Sequence, residues 1–78
     1  MSRVRKVFSS VLGVDESAVV PTLSPDNTPT WDSLNAIILV SELENAFNIK
    51  FSYDEVMAVT DVAGAIALIR SKGGNVEE

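Results

Sequence analysis

The chain has 78 residues with a formal net charge of −5 at pH 7, and it contains no histidine and no cysteine. We expect one small domain, residues 1–78, that cannot enclose a deep active site, and the missing residue types exclude disulfides, thiolate metal sites and imidazole acid–base chemistry. Because of the small size and the missing histidine and cysteine, we expect no catalytic residue and no bound metal. Because an acidic surface repels nucleic acid and anionic membranes, we also expect no nucleic-acid partner and no stable membrane insertion.

The first predicted element is a helix over residues 2–12, whose apolar side chains recur at helical spacing and stop at Gly13. A long loop over residues 14–31 follows, since it contains all three prolines and many small polar residues. A loop of this length in a small domain has to be tied down or functional. Its apolar side chains are expected to hold it against the helices: Val19, Val20, Leu23 and Trp31.

The second predicted helix, over residues 33–47, has the clearest pattern in the chain. Each residue of a helix is rotated by about 100° from the one before it, so side chains three and four positions apart share a face. One narrow stripe of this helix is apolar and is predicted to be its core face: Ala36, Leu39, Val40, Leu43 and Phe47. Asn48 is expected to end the helix.

Two shorter helices are predicted in the last third of the chain. Ser52 followed by Glu55 has the spacing of a capping box, which predicts a short third helix over residues 53–58. Its apolar side chains are expected to join the core: Val56, Met57 and Val59. Asp61 then begins a fourth helix that runs to about Ser71. The buried stripe of that helix is predicted to be Val62, Ala65, Ile66 and Ile69.

The chain end is predicted to be less ordered. Two successive glycines stop the fourth helix, and residues 73–78 are expected to form a frayed tail. The sequence shows neither the alternation typical of strands nor an internal repeat. The predicted fold class is therefore all-α: a small four-helix bundle of three main helices and one short helix, with a long loop between helices one and two.

A serine hydroxyl lies at the start of the second helix, in the sequence Asp32-Ser33-Leu34. Without a neighbouring base Ser33 is a poor nucleophile, but the positive end of a helix dipole favours a phosphate ester at this position. If Asp32 caps the helix, the Ser33 hydroxyl lies free in the first turn. Because Asp and Ser are both common caps, the motif alone is also typical of an ordinary helix start.

Three apolar side chains near Ser33 lie away from the predicted core stripe: Leu34, Ile37 and Ile38. A cluster of exposed apolar residues indicates a docking surface. The alternative is that Leu34 and Ile37 pack against the loop or a neighbouring helix. Ile38 points most nearly opposite the core, and we expect it to be the least covered of the three.

With these residues, the chain resembles an acyl carrier protein. The resemblance covers nearly the whole chain and rests on Trp31-Asp32-Ser33-Leu34-Asn35, followed by matching residues along the second helix: Leu39, Val40, Leu43, Glu44, Phe47 and Ile49. It implies that 4′-phosphopantetheine from coenzyme A is attached to Ser33 by a separate phosphopantetheinyl transferase. The thiol of that group would carry an acyl chain as a thioester. The resemblance further implies that Asp32 assists recognition by the transferase and that Leu34 contacts partners beside the arm.

The resemblance also implies the partners, which are acyl-loading, condensing or acyl-transferring enzymes of fatty acid, polyketide or related lipid biosynthesis. It makes the second helix the main recognition helix and lets acyl chains slip between the helices. We expect a cytoplasmic monomer. The predicted partner-binding residues are Leu34, Ile37, Ile38, Ser41, Glu42, Glu44, Asp54 and Glu55.

The sequence departs from the usual fatty-acid-synthesis carrier in two ways. It has Asn35, Ile38 and Asn45 where such carriers usually have acids, and Trp31 before the Asp resembles specialised stand-alone carriers. These differences favour a dedicated pathway. Two alternatives remain open: a peptidyl or aryl carrier loaded by an adenylating enzyme, and an unmodified helical interaction module that uses the apolar residues near Ser33 without any cofactor.

Overall fold

A computed structural model describes residues 2–76. In this part of the chain the helices are α1 (Ser2–Leu12), α2 (Ser33–Phe47), α3 (Tyr53–Ala58) and α4 (Val62–Ser71). The all-α class, the four helices and the long connection between the first two are confirmed. One turn of 3₁₀-helix inside that connection, Glu16–Ala18, was not predicted.

The ends of α2 and the start of α3 follow from local hydrogen bonding. Asp32 is the N-cap of α2, where its Oδ1 accepts the Asn35 N–H at 2.9 Å. Asn48 ends the helix in the left-handed conformation with φ 54°, which asparagine adopts more readily than most residues. The capping box of α3 is complete, since the Ser52 N–H donates to Glu55 Oε1 at 2.7 Å and the Glu55 N–H donates to Ser52 Oγ at 3.2 Å.

The core is built by α1, α2 and α4 together with parts of the long connection. Phe8 is fully buried and meets the Trp31 ring edge-on, with the ring centroids 5.4 Å apart. Such a pair contributes about 0.5–1.5 kcal/mol beyond the burial of its area. The buried apolar residues are Val4, Phe8, Leu12, Val19, Trp31, Leu39, Leu43, Phe47, Val62, Ala65, Ile66, Ile69 and Val76.

The long connection is tied down, as predicted, by backbone hydrogen bonds as well as by buried side chains. The carbonyls of Leu23 and Pro21 accept the N–H groups of Val62 and Ala63 at 3.0 and 3.1 Å. These N–H groups belong to the first turn of α4, where a helix has no internal acceptor for them. The connection therefore completes the start of α4 while Val19 and Trp31 fill the core.

Seven apolar residues that were expected to pack into the core are not fully buried: Val20, Leu23, Ala36, Val40, Val56, Met57 and Val59. Val20 is exposed because it follows the buried Val19 in a non-helical segment, where successive side chains point in opposite directions. Met57 is also exposed, since α3 is a short surface helix without a fully buried residue. Ala36 and Val40 are half-buried. Leu23, Val56 and Val59 are half-buried as well. Leu23, Ala36 and Val59 pack against the core, whereas Val40 and Val56 line open space.

The predicted frayed tail is wrong for residues 73–76. Val76 is only 2% exposed and belongs to the core. The Gly74 N–H donates to the Ile69 carbonyl at 2.9 Å and turns the chain back over the end of α4. Residues 77 and 78 lie outside the described part. Of the helices within residues 2–76, none is long and apolar enough to cross a membrane.

Candidate functional site

Ser33 is the first residue of α2 and its side chain is exposed. The cap of the helix is provided by the Asp32 carboxylate, which accepts the Asn35 N–H. Within the part of the chain that the structure describes, the Ser33 hydroxyl forms no hydrogen bond. The Ser33 hydroxyl was predicted to be free if Asp32 caps the helix. Asp32 is the cap, and the hydroxyl is free, so this prediction is confirmed.

The start of α2 is fixed to the end of α1 by two side-chain hydrogen bonds. Asn35 Nδ2 donates to the Thr30 carbonyl at 2.7 Å, and Thr30 Oγ1 donates to the Leu12 carbonyl at 2.7 Å. The position of Ser33 therefore depends on the packed part of the molecule and not on a mobile loop. These roles of Asn35 and Thr30 were not predicted, because neither bond has a regular sequence spacing.

Open space borders Ser33 on two sides. The loop groove, between the long connection and α3, has a volume of about 390 Å³ and includes Trp31 and Ser33 in its walls. The helix groove, between α2 and α3, has a volume of about 650 Å³ and includes Ser33, Ile37 and Tyr53. Behind both grooves lies an inner cavity of about 40 Å³ that is lined only by apolar and aromatic side chains.

The three spaces share walls. Ala36 and Val56 line all of them, while Val40 and Phe51 separate the helix groove from the inner cavity. A continuous apolar surface thus leads from Ser33 into the bundle. Burial on such a surface stabilises a bound alkyl group by about 0.8 kcal/mol per CH₂. No cluster of residues able to hold a metal ion is found among residues 2–76.

The apolar residues near Ser33 are exposed, but not in the predicted order. Leu34 and Ile37 are 67% and 68% exposed, so the alternative in which they pack against the loop or a helix is wrong. Ile38 is 42% exposed, which makes it the most covered of the three instead of the least. The high exposure of Ile37 has a structural reason, since it borders the helix groove, where the short α3 leaves the flank of α2 open.

Residues of α3 continue this apolar surface on the other side of the grooves. Tyr53 and Met57 are both exposed, and both line the helix groove. We call four exposed side chains near Ser33 the apolar rim: Ile37, Tyr53 and Met57, which line the helix groove, and Leu34, which follows Ser33 in α2. Tyr53 was not predicted, since as the first residue of a six-residue helix it has too few neighbours to define a face.

The predicted polar partner-binding residues fall into two groups. Ser41, Glu42 and Asp54 are exposed. Glu44 is half-buried, and its Oε2 accepts the Phe51 N–H at 2.8 Å. This bond holds the link between α2 and α3, so Glu44 has a structural role that its exposed position on the helical wheel did not indicate.

Glu55 is likewise engaged within the protein. Its Oε1 accepts the Ser52 N–H in the capping box and lies 2.8 Å from Lys72 Nζ, beyond the end of α4. The hydrogen bond from Lys72, followed by the one from the Ser52 backbone, lowers the pKa of Glu55. This ion pair connects α3 to the end of α4.

The comparison with known families decides what kind of protein has this arrangement. Residues 2–69 match the family described as "Phosphopantetheine attachment site". The chain belongs to this family. It is a non-catalytic carrier domain that bears covalent 4′-phosphopantetheine, is modified by a phosphopantetheinyl transferase and works with pathway enzymes. The predictions of the family, the cofactor and the absence of catalysis are confirmed.

The carrier domain has a position that fits this cofactor. Ser33 offers an exposed hydroxyl without a competing hydrogen bond, at a helix N-terminus whose dipole favours a phosphate group. The grooves beside Ser33 have mostly apolar walls, which can contact a group carried on the thiol of the cofactor. An unmodified interaction module does not fit a member of this family.

Proposed function

We propose that the chain is an acyl carrier protein, that residues 1–78 form one carrier domain, and that the arm is attached to Ser33. The observation that supports this most is the free Ser33 hydroxyl at the start of α2, between two grooves that lead to an apolar cavity. Acyl groups are carried as thioesters and delivered to enzymes of fatty acid, polyketide or related lipid biosynthesis.

In the attachment reaction, the Ser33 oxygen forms a bond to the phosphorus of the phosphopantetheine part of coenzyme A. The pyrophosphate P–O bond breaks, and adenosine 3′,5′-bisphosphate leaves. The hydroxyl proton has to be accepted by another group. Asp32 is held in the helix cap by Asn35, so we assign the proton acceptor to the transferase and assign recognition to Asp32 and Leu34.

The walls of the inner cavity favour an acyl over an aminoacyl cargo. The cavity has no acidic lining residue that could pair with an ammonium group, and burial of an unpaired charge is strongly unfavourable. An alkyl chain, by contrast, gains free energy from each methylene that it buries. This difference supports the acyl carrier over the peptidyl alternative.

Partner enzymes dock around Ser33 through a surface that is mostly apolar. The apolar rim lies beside Ser33 and along the helix groove, and Ser41, Glu42 and Asp54 are exposed polar residues of the same two helices. We keep the full set of predicted partner-binding residues in this proposal: Leu34, Ile37, Ile38, Ser41, Glu42, Glu44, Asp54 and Glu55. Glu44 and Glu55 act there mainly by holding α3 in place.

Intact mass spectrometry tests the attachment site. The protein is incubated with coenzyme A and a transferase of broad specificity, and we expect the mass to rise by one phosphopantetheine. Ser33→Ala abolishes the gain, whereas Ser41→Ala, which changes another exposed serine of the same helix, retains it. A full gain on Ser33→Ala would contradict the proposal.

The cargo class is tested on the modified protein by NMR. The arm is loaded with either a butanoyl or an alanyl group, and the methyl signals of Val40 and Val56 are compared with those of the unloaded form. We expect the butanoyl group to shift these signals and the alanyl group to leave them nearly unchanged, because both valines line the inner cavity. Equal shifts with both groups would contradict an acyl preference.

A further inference from the structure

Trp31, the single tryptophan of the chain, carries a hydrogen-bond donor that the fold does not use. The residue is 6% exposed and packs edge-on against Phe8. Its indole N–H forms no hydrogen bond within the described residues. Every fully buried side-chain nitrogen or oxygen of those residues has a hydrogen-bond partner. Because the indole nitrogen has none, it is not fully buried. The N–H therefore lies at the small part of Trp31 that remains open.

The open part of Trp31 faces space that leads to Ser33. Trp31 lines both the loop groove, together with Ser33, and the inner cavity. The indole nitrogen can only donate a hydrogen bond. It is the one side-chain donor in a cavity lining that is otherwise entirely apolar. A donor placed in this way is favourable only when an acceptor reaches it, from water or from a ligand.

We propose that the Trp31 N–H binds a neutral carbonyl oxygen that enters along the groove from Ser33, an inference that rests on the proposed attachment of the arm there. An anionic acceptor is disfavoured, because Asp32 lies in the wall of the same groove and the chain carries a net charge of −5. Two sources supply such an oxygen: the amides of the arm, and a second carbonyl in a short 3-oxoacyl cargo.

The size of the inner cavity sets the length of such a cargo. At about 40 Å³ it has room for about three water-sized groups before the helices have to move apart. A four-carbon 3-oxoacyl group fits this description, with its ketone at the Trp31 end. Trp31 is then a specificity residue that distinguishes an oxygenated cargo from a saturated cargo of equal length.

The indole N–H gives one signal in a ¹H–¹⁵N spectrum, which makes the test direct. Four samples are compared: the unmodified protein, the protein with the arm, and the same protein loaded with butanoyl or with 3-oxobutanoyl. Intact mass confirms each state. We expect a downfield shift and about tenfold slower exchange of the indole proton with water when its hydrogen bond forms. A change on attachment of the arm identifies the arm amides, and a change with 3-oxobutanoyl but not butanoyl identifies the cargo.

An indole signal that is identical in all four samples, with the loading confirmed by mass, would overturn the inference and leave the attachment site intact. If no arm is attached, the proposed function fails separately. The donor is then tested on the unmodified protein with S-(3-oxobutanoyl)-N-acetylcysteamine, and S-butanoyl-N-acetylcysteamine serves as the control. A shift with the first thioester alone supports the inference, and no difference between the two overturns it.

Variants provide a second readout. Trp31→Phe keeps an aromatic ring against Phe8 and removes the donor. If the donor holds the ketone inside the cavity, it slows hydrolysis of the 3-oxobutanoyl thioester, so we expect Trp31→Phe to hydrolyse this thioester faster than the wild type does. The butanoyl thioester is expected to hydrolyse at the same rate in both proteins. Ser10→Ala, at an exposed position of α1 outside the grooves, serves as the control and hydrolyses both thioesters as the wild type does. If Trp31→Phe hydrolyses both thioesters as the wild type does, the donor does not act on the cargo.

Discussion

The start of α2 and the helix α3 face each other across the grooves beside Ser33, and they are held in very different ways. The start of α2 is fixed by the Asp32 cap and by the bonds of Asn35 and Thr30, next to the buried Trp31. In contrast, α3 has six residues and none of them is fully buried.

The difference shows which side of the site can move. Segments with few buried apolar contacts open at a lower free energy than the core of the same protein. A group entering between α2 and α3 can therefore displace α3 while Ser33 keeps its position. The proposed attachment point is fixed and the opposite wall of the groove is adjustable, which suits a carrier that has to accept a cargo and release it again.

The largest expected contrast compares Phe8→Ala with Met57→Ala. Phe8 is fully buried against Trp31, so its removal leaves a cavity and lowers the free energy of unfolding by about 3–5 kcal/mol. Met57 is exposed on α3, and its truncation changes the free energy by less than about 0.5 kcal/mol. Urea unfolding followed by circular dichroism measures both. Equal losses would contradict the contrast between the two regions.

Gly74→Ala extends the same contrast to the end of the chain. A Cβ at position 74 would collide with the Cγ2 of Ile69, which is fully buried. Overpacking of this kind costs about 1–3 kcal/mol. We expect a lower urea midpoint with an unchanged slope. Ser10→Ala, an exposed position in the last turn of α1, serves as the control and leaves the midpoint in place. An unchanged midpoint for Gly74→Ala would show that residues 73–76 are not part of the cooperative core.

A smaller effect separates the two roles of Asp32. Asp32→Ala removes the helix cap and costs about 1 kcal/mol of stability, while Asp32→Asn retains a good cap and costs little. If the carboxylate is also needed for recognition by the transferase, both variants slow the attachment of phosphopantetheine in the mass assay. Normal attachment on Asp32→Asn would limit Asp32 to its structural role.

The contrast between these two regions also explains what could be predicted from the sequence. The bounds of α2 and the capping box of α3 depend on contacts within a few residues, and they were predicted correctly from Asp32, Asn48 and Ser52. The exposed Ser33 hydroxyl followed from the same local rules, once Asp32 was assumed to be the cap.

What could not be predicted depends on contacts distant in the sequence. Val76 is buried because the chain folds back over α4. The two glycines before it indicate the end of the helix but not where the following residues pack. Ile37 is more exposed than Ile38 and borders the groove opposite the short α3. A helical wheel of α2 gives no information about where α3 lies. The free N–H of Trp31 is visible only when all possible acceptors have been placed.

The smallest expected effect concerns the one ion pair described between α3 and the end of α4. The Lys72 hydrogen bond and the Ser52 N–H lower the pKa of Glu55. A carboxyl group whose pKa is lowered in the folded state stabilises the fold above its unfolded-state pKa, and this contribution is lost as the pH falls through the folded-state value. We therefore expect α3 to loosen at acidic pH, below the ordinary pKa of a glutamate.

The carboxyl ¹³C signal of Glu55 reports this pKa directly. Lys72→Gln removes the main cause of the shift and raises the pKa toward the ordinary value, and Lys6→Gln, an exposed lysine on α1, leaves it unchanged. Because the pair is partly exposed, salt weakens its effect. The amide protons of α3 should also exchange faster in Lys72→Gln at neutral pH, while those of α2 do not change. Equally faster amide exchange in α2 and α3 would contradict this expectation. It would mean that α3 does not move separately and that the two sides of the grooves open together.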